Sequence, residues 1–182
     1  MIEEEKTDQQ DKREYSRVDT YIPMEFKQVN RDSRREVRSR IAGDAFLAEF
    51  KSLPNPDDQI IAQWLQTINF KLNEIIRMMT IQHDGFNCLN VTKVNIGGGG
   101  LSFLAGRSYE PGDILELKVM LPMQKPIALF LYGEVIELPI PHPGYDTSVR
   151  FIAIDDFVRD EIIRFVFETE REILREKRRS GA

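Results

Sequence analysis

The sequence predicts a mainly β chain with added helices: a six-stranded antiparallel barrel, interrupted by a long helical hairpin and closed by a C-terminal helix. Three observations predict it. A strand-forming run opens at Val18, period-two alternation returns after Gly85 with turn signals in quick succession, and the stretches from Ser33 and from Asp155 carry helical spacing. A length of 182 residues suits one ordinary domain, or a small domain with an insertion, and is enough to bury a core. With 41% hydrophobic and 30% charged residues, the chain has the means both to fill that core and to clothe it.

Residues 1–12 are polar and nearly free of large apolar groups, which predicts a tail without a core to join. In the run Val18 to Val29, Ile22, Met24 and Phe26 alternate with more polar positions; Pro23 lacks a ladder donor and argues for a place near a sheet edge. From about Ser33 the spacing of Val37, Ile41, Ala45 and Ala48 is helical, with Phe46 and Phe50 beside that face. Pro54-Asn55-Pro56 breaks the run, and Asp57 or Asp58 is placed to cap a second helix reaching about Gln82, before Asp84-Gly85. Short strands are then expected over 88–94, 100–105, 113–121, 127–137 and 146–153, separated by Gly- and Pro-rich turns. A last helix from Asp155 to Arg179 places Val158, Ile162, Phe165, Val166, Thr169 and Ile173 on one stripe and ends in cations that suit a helix C-terminus. The expected division is a tail over 1–12, a barrel with its closing helix over 13–30 and 86–182, and an inserted hairpin over 31–85.

Enzyme chemistry finds little footing, and no catalytic or metal-ligating residue is assigned. His83 and His142 are far apart, and neither stands at a metal-ligand spacing from Cys88 or a carboxylate. Gly97-Gly98-Gly99-Gly100 lacks a following Lys-Ser/Thr and opens onto a strand, so it fails both the P-loop and the dinucleotide-fold tests. No serine lies in a nucleophile elbow. Cys88 alone closes no internal disulfide, the first residues show no leader pattern, and no stretch has the length of a bilayer span. A soluble cytoplasmic protein is therefore expected. The net charge of -5 argues against a general nucleic-acid coat, although residues 31–40 carry five arginines, whose spacing suits a solvated or salt-bridging helix face.

Two short motifs remain. Arg13-Glu14-Tyr15-Ser16-Arg17 sets two guanidinium forks four residues apart before the first strand, and such forks pair with phosphate, stack on rings and read the guanine edge. Asn95-Ile96-Gly97-Gly98-Gly99-Gly100 combines an amide with glycines that permit close backbone approach. In this order and scaffold the pair resembles the signature of the PilZ family, Arg-x-x-x-Arg followed by Asp/Asn-x-Ser-x-x-Gly. Gly133-Glu134-Val135-Ile136-Glu137, Ser148-Val149-Arg150-Phe151 and the closing helix resemble the second half of that family. The resemblance implies a receptor for cyclic di-GMP, with no other cofactor. In that case Arg13 and Arg17 would grip phosphate and guanine, Asn95 would bond a guanine edge and Gly100 would provide the turn. The family's serine is Gly97 here; losing one net hydrogen bond costs about 0.5–1.5 kcal/mol, roughly threefold to tenfold in affinity, so weak or degenerate binding is expected. The same fold without any nucleotide, acting as a structural or interaction module, is the alternative.

The insertion carries a second signal. Ile61, Leu65, Ile68, Leu72, Ile75 and Met79 follow alternating spacings of four and three, a heptad seam with Leu65, Leu72 and Met79 at a and the isoleucines at d. Leucine-type a with isoleucine at d favours trimers or tetramers over dimers, and a homotetramer is expected. Ile60, Trp64 and Ile76 widen the stripe beyond what one partner helix covers. The output implied by the resemblance is a changed contact with a protein partner in motility, attachment or secretion.

Overall fold

A computed structural model of the chain describes residues 15–30, 37–43, 56–137 and 144–180. The tail expected over 1–12, Arg13, Arg31, Arg34, Arg35, His142 and the remainder of the first hairpin helix over 44–55 lie outside the described residues.

Alternation builds the barrel. Strands β1 (Arg17–Val29), β2 (Arg40–Ile41), β3 (Asn90–Gly97), β4 (Gly100–Phe103), β5 (Ile114–Leu121), β6 (Ile127–Ile136) and β7 (Thr147–Ile152) form one sheet in the order β2-β6-β5-β1-β3-β4-β7. All neighbours are antiparallel, and pairing of β6 with β7 closes a six-stranded ring with β2 as an addition. The register of Val18 with Ile96, Ile96 with Leu101, Leu101 with Val149 and Val149 with Val135 makes one interior layer across five strands. All five side chains are buried. Since successive residues face opposite sides of a strand, the residues on either side of this layer face outward.

β1 departs from the edge position argued from Pro23. It is shared: Arg17–Met24 pair with β3 and Met24–Val29 pair with β5. Pro23 falls in the half that pairs on one side only, where a missing donor disrupts least.

The largest correction concerns the first hairpin helix. Residues 37–39 are not helical, and Arg40 and Ile41 form β2 against Phe130 and Leu129 of β6. β7 covers β6 only from Tyr132 to Ile136, so the lower part of β6 needs another partner. Ser39 bridges the junction: its amide donates to the Ala153 carbonyl (2.9 Å), its hydroxyl to the Ile152 carbonyl (3.2 Å), and the Tyr132 amide donates to its Oγ (3.1 Å). Ile41 and Ala42 are buried on the barrel. Ladder hydrogen bonds and burial outweigh the helical spacing, a weak local preference.

Helix α1 (Gln59–His83) begins at an Asp58 cap whose Oδ1 accepts from the Ile60 and Ile61 amides (2.8 and 3.2 Å). It ends ahead of Gly85, whose φ of +78° suits glycine. A single 3₁₀ turn, Phe86–Cys88, leads into β3 and packs Phe86 edge-on against Phe130, with ring centroids 5.1 Å apart. Helix α2 (Asp156–Ser180) starts where Asp155 Oδ1 accepts from the Val158 amide (2.9 Å). Val158, Ile162, Phe165 and Val166 join the barrel core. Beyond them the helix carries no buried residue, and Leu174 is exposed. No helix among the described residues is long and apolar enough to cross a membrane.

Candidate functional site

Two rows of outward-facing residues flank the interior layer. One runs Asp19, Asn95, Ser102, Ser148 across β1, β3, β4 and β7; the next runs Arg17, Gly97, Gly100, Arg150, Glu134 and extends onto β6. The register thus brings Arg17, Asn95, Gly97 and Gly100 together, although β1 and β3 are separated by the whole insertion. The turn itself is Gly98-Gly99, and Gly100 is a strand residue paired with Gly97.

Arg17 and Asn95 bond each other. Arg17 Nε donates to Asn95 Oδ1 (2.6 Å), and Nη2 donates to the Asn95 carbonyl (2.8 Å) and to Ser102 Oγ (3.3 Å). Asn95 Nδ2 donates to Asp19 Oδ1 (3.0 Å), which also accepts from the Tyr145 hydroxyl (2.7 Å). Ser102 and Ser148 hydroxyls lie 2.5 Å apart. Burial, joined by the hydrogen bond and negative charge of Asp19, pushes the Tyr145 phenol well above the usual tyrosine range. Tyr145 therefore stays a protonated donor to Asp19.

The glycines are required by close approach. A Cβ at Gly97 would lie 2.5 Å from the Ser16 carbonyl oxygen and 2.7 Å from Arg17 Cγ; at Gly100 it would meet the Val149 carbonyl at 2.1 Å. At Gly98 it would meet Ile163 Cγ1 at 2.8 Å and the Tyr15 ring at 3.0 Å. The segment Tyr15-Ser16 and helix α2 therefore cover the glycine turn. Arg159 fastens this cover, donating from Nη1 to the Gly98 carbonyl (2.9 Å) with its guanidinium 5.4 Å from the Tyr15 ring centroid. Ser16 Oγ donates to Glu170 Oε1 (2.5 Å).

Beside this cover opens a cleft of about 330 Å³ lined by Tyr15, Arg17, Gly99, Arg150, Phe151 and Arg159, with Ile136 and Val149 completing it. Among the described residues three arginines and no carboxylate line it. Glu134, at 3.2 Å, pairs with Arg150 from outside the lining. Such a cleft suits an anion with a planar part.

Tyr15, Arg150 and Arg159 were not among the site residues expected from the motifs. Tyr15 stands inside the arginine motif, and Arg150 is the polar residue between inward-facing Val149 and Phe151. Arg159 follows core-facing Val158 on the helix and had no signal of its own.

The heptad residues are gathered elsewhere. Ile61, Leu65, Ile68, Leu72, Ile75 and Met79 lie along α1 and are 46–64% exposed; no residue of this helix is buried. Trp64 and Ile60 are exposed on the adjoining stripe. The helix is tied to the barrel near its C-terminal end, where Arg77 Nη2 donates to the Pro126 carbonyl (2.9 Å) and Lys125 pairs with Glu74 (2.5 Å). Among the described residues no group of three or more His, Cys, Asp or Glu is placed to hold a metal ion.

No family model matches the chain, and no curated protein matches it. Among solved structures it is similar to a pathogenic protein from Xanthomonas campestris described as a tetrameric PilZ domain self-assembled via an unusual helical bundle. The two are 14% identical with a TM-score of 0.52, and the match covers 88% of each chain. The likeness shows the fold: this chain has the PilZ fold.

Proposed function

We propose that this PilZ-fold chain is a non-enzymatic signalling adaptor that assembles with copies of itself through helix α1 and takes cyclic di-GMP weakly at its arginine-lined cleft. The observation that carries the proposal is the uncovered heptad seam. Six large apolar side chains repeat along a 25-residue helix that buries none of its residues in the single chain. An apolar stripe of this length is ordinarily covered by a partner. Leucine-type residues at a with isoleucine at d favour three or four copies, and the solved structure of the same fold is described as a tetramer self-assembled via a helical bundle.

Support for the ligand is chemical. The cleft offers guanidinium groups and the Tyr15 ring to a phosphorylated base. Affinity is held down because Arg17 already serves Asn95 and Ser102, and because Gly97 contributes no hydroxyl. The mutual bonding of Arg17 and Asn95 also favours a second reading, in which the signature residues brace the barrel and the module works without nucleotide.

Light scattering on the full chain tests the assembly: a mass above that of a dimer of 21.2 kDa subunits is expected, and a monomer overturns it. Isothermal titration with cyclic di-GMP tests the ligand. Heat at high micromolar concentration is expected, and its absence leaves the module without nucleotide.

A further inference from the structure

We infer that the anion in the rim cleft is held by Arg150 of β7 and Arg159 of α2, with the Tyr15 ring as the platform for a planar base, and not by the signature arginine Arg17. The ligand class is a phosphate or pyrophosphate ester carrying an aromatic base. The inference deepens the ligand part of the proposed function and rests on it only for the identity of cyclic di-GMP.

Three observations carry it. Arg17 directs Nε and Nη2 into Asn95 and Ser102, so turning it toward a ligand would break contacts within the barrel wall. Ser16, Tyr15 and Ile163 pack against Gly97 and Gly98, so of the glycine turn Gly99 alone reaches the cleft among the described residues. Arg150 and Arg159 line the open cleft from separate elements. Arg150 has a side chain 63% exposed and shares its charge with Glu134 at 3.2 Å, while Arg159 gives Nη1 to the neutral Gly98 carbonyl. A guanidinium has five N–H donors in a planar fork, so these contacts leave both arginines donors for an anion. A volume of about 330 Å³ is at the small end for a ligand site and suits one phosphorylated base.

The test is isothermal titration of the full chain with two probes, inorganic pyrophosphate and cyclic di-GMP. Both are expected to bind, and Arg150→Gln and Arg159→Gln should each weaken both by about tenfold or more. Arg159→Lys, which keeps the charge, should retain most of the pyrophosphate affinity and so separates loss of the anion site from misfolding. Tyr15→Leu should weaken cyclic di-GMP and leave pyrophosphate unchanged. Asn95→Ala should weaken neither affinity by more than about threefold, since it removes no direct ligand contact. Binding of pyrophosphate that depends on Arg150 and Arg159, with no response to cyclic di-GMP, supports the anion site and removes the dinucleotide. The inference is overturned if neither probe binds at millimolar concentration, or if binding depends on Arg17 and Asn95 while Arg150→Gln and Arg159→Gln bind as well as the parent.

Discussion

At position 97 a hydroxymethyl group has nowhere to go, because the Ser16 carbonyl and Arg17 Cγ already occupy the place of a Cβ. Restoring the family's serine should therefore destabilise the chain. Gly97→Ser is expected to cost about 1–3 kcal/mol as overpacking, visible as a fall of several degrees in Tm by calorimetry. An unchanged Tm would mean that the Ser16 backbone yields easily. A different residue sets an acid limit on stability. Burial raises the Asp146 carboxyl, but this is outweighed by the Ala105 amide, the Thr147 hydroxyl and the Gly106 amide, at 2.7, 2.9 and 3.0 Å, so its pKa lies below the ordinary aspartate value. A carboxyl depressed in the folded state contributes stability that is present above its unfolded value, near pH 4, and is lost as pH falls through the folded value. Thermal melts should accordingly weaken below about pH 4, and Asp146→Ala should flatten that acid limb; parallel limbs for both proteins would refute the assignment.

Helix α1 behaves as an element apart. Its cap, length and C-terminal stop are local, so Asp58, the heptad and Gly85 were legible in the sequence. Its neighbour was not. Val37 and Ile41 keep helical spacing, yet Ile41 sits in β2 because β6 runs past the end of β7 and requires a partner at Leu129 and Phe130. A period measured along the chain carries no record of such a vacancy elsewhere in the sheet. Since the seam is exposed, a charge placed there should act on assembly and not on folding. Ile68→Asp is expected to reduce the mass to that of the 21.2 kDa monomer by light scattering, with the barrel's thermal transition retained. Persistence of the large species would place the interface elsewhere.

For the whole molecule, the proposed assembly surface and the proposed ligand surface are drawn from different elements. The cleft is lined by residues of the β1 segment, the β3–β4 turn, β6, β7 and α2, and none comes from α1. Distant sites without shared partners act almost independently, so Ile68→Asp should change pyrophosphate affinity by less than about twofold. A large loss would show that the cleft depends on assembly. The acidic total is compatible with this arrangement, since a few arginines at the barrel rim suffice for a small anion even in a chain of net charge -5.

The sequence by itself determined six strands, the closing helix, the heptad seam and the two motifs, because alternation, helical period and turn chemistry are written in neighbouring residues. Tertiary structure alone decided which guanidinium groups gather at the cleft and what else each of them bonds. Val18, Ile96, Leu101, Val149 and Val135 lock the barrel in one register, and that register lays Arg17 against Asn95 while setting Arg150 opposite Gly100. Arg159 reaches the same rim only because Val158 and Ile162, its neighbours on α2, are anchored in the core. Contacts between residues so distant in the chain arise from closure of the sheet and docking of a helix, and no local pattern encodes them.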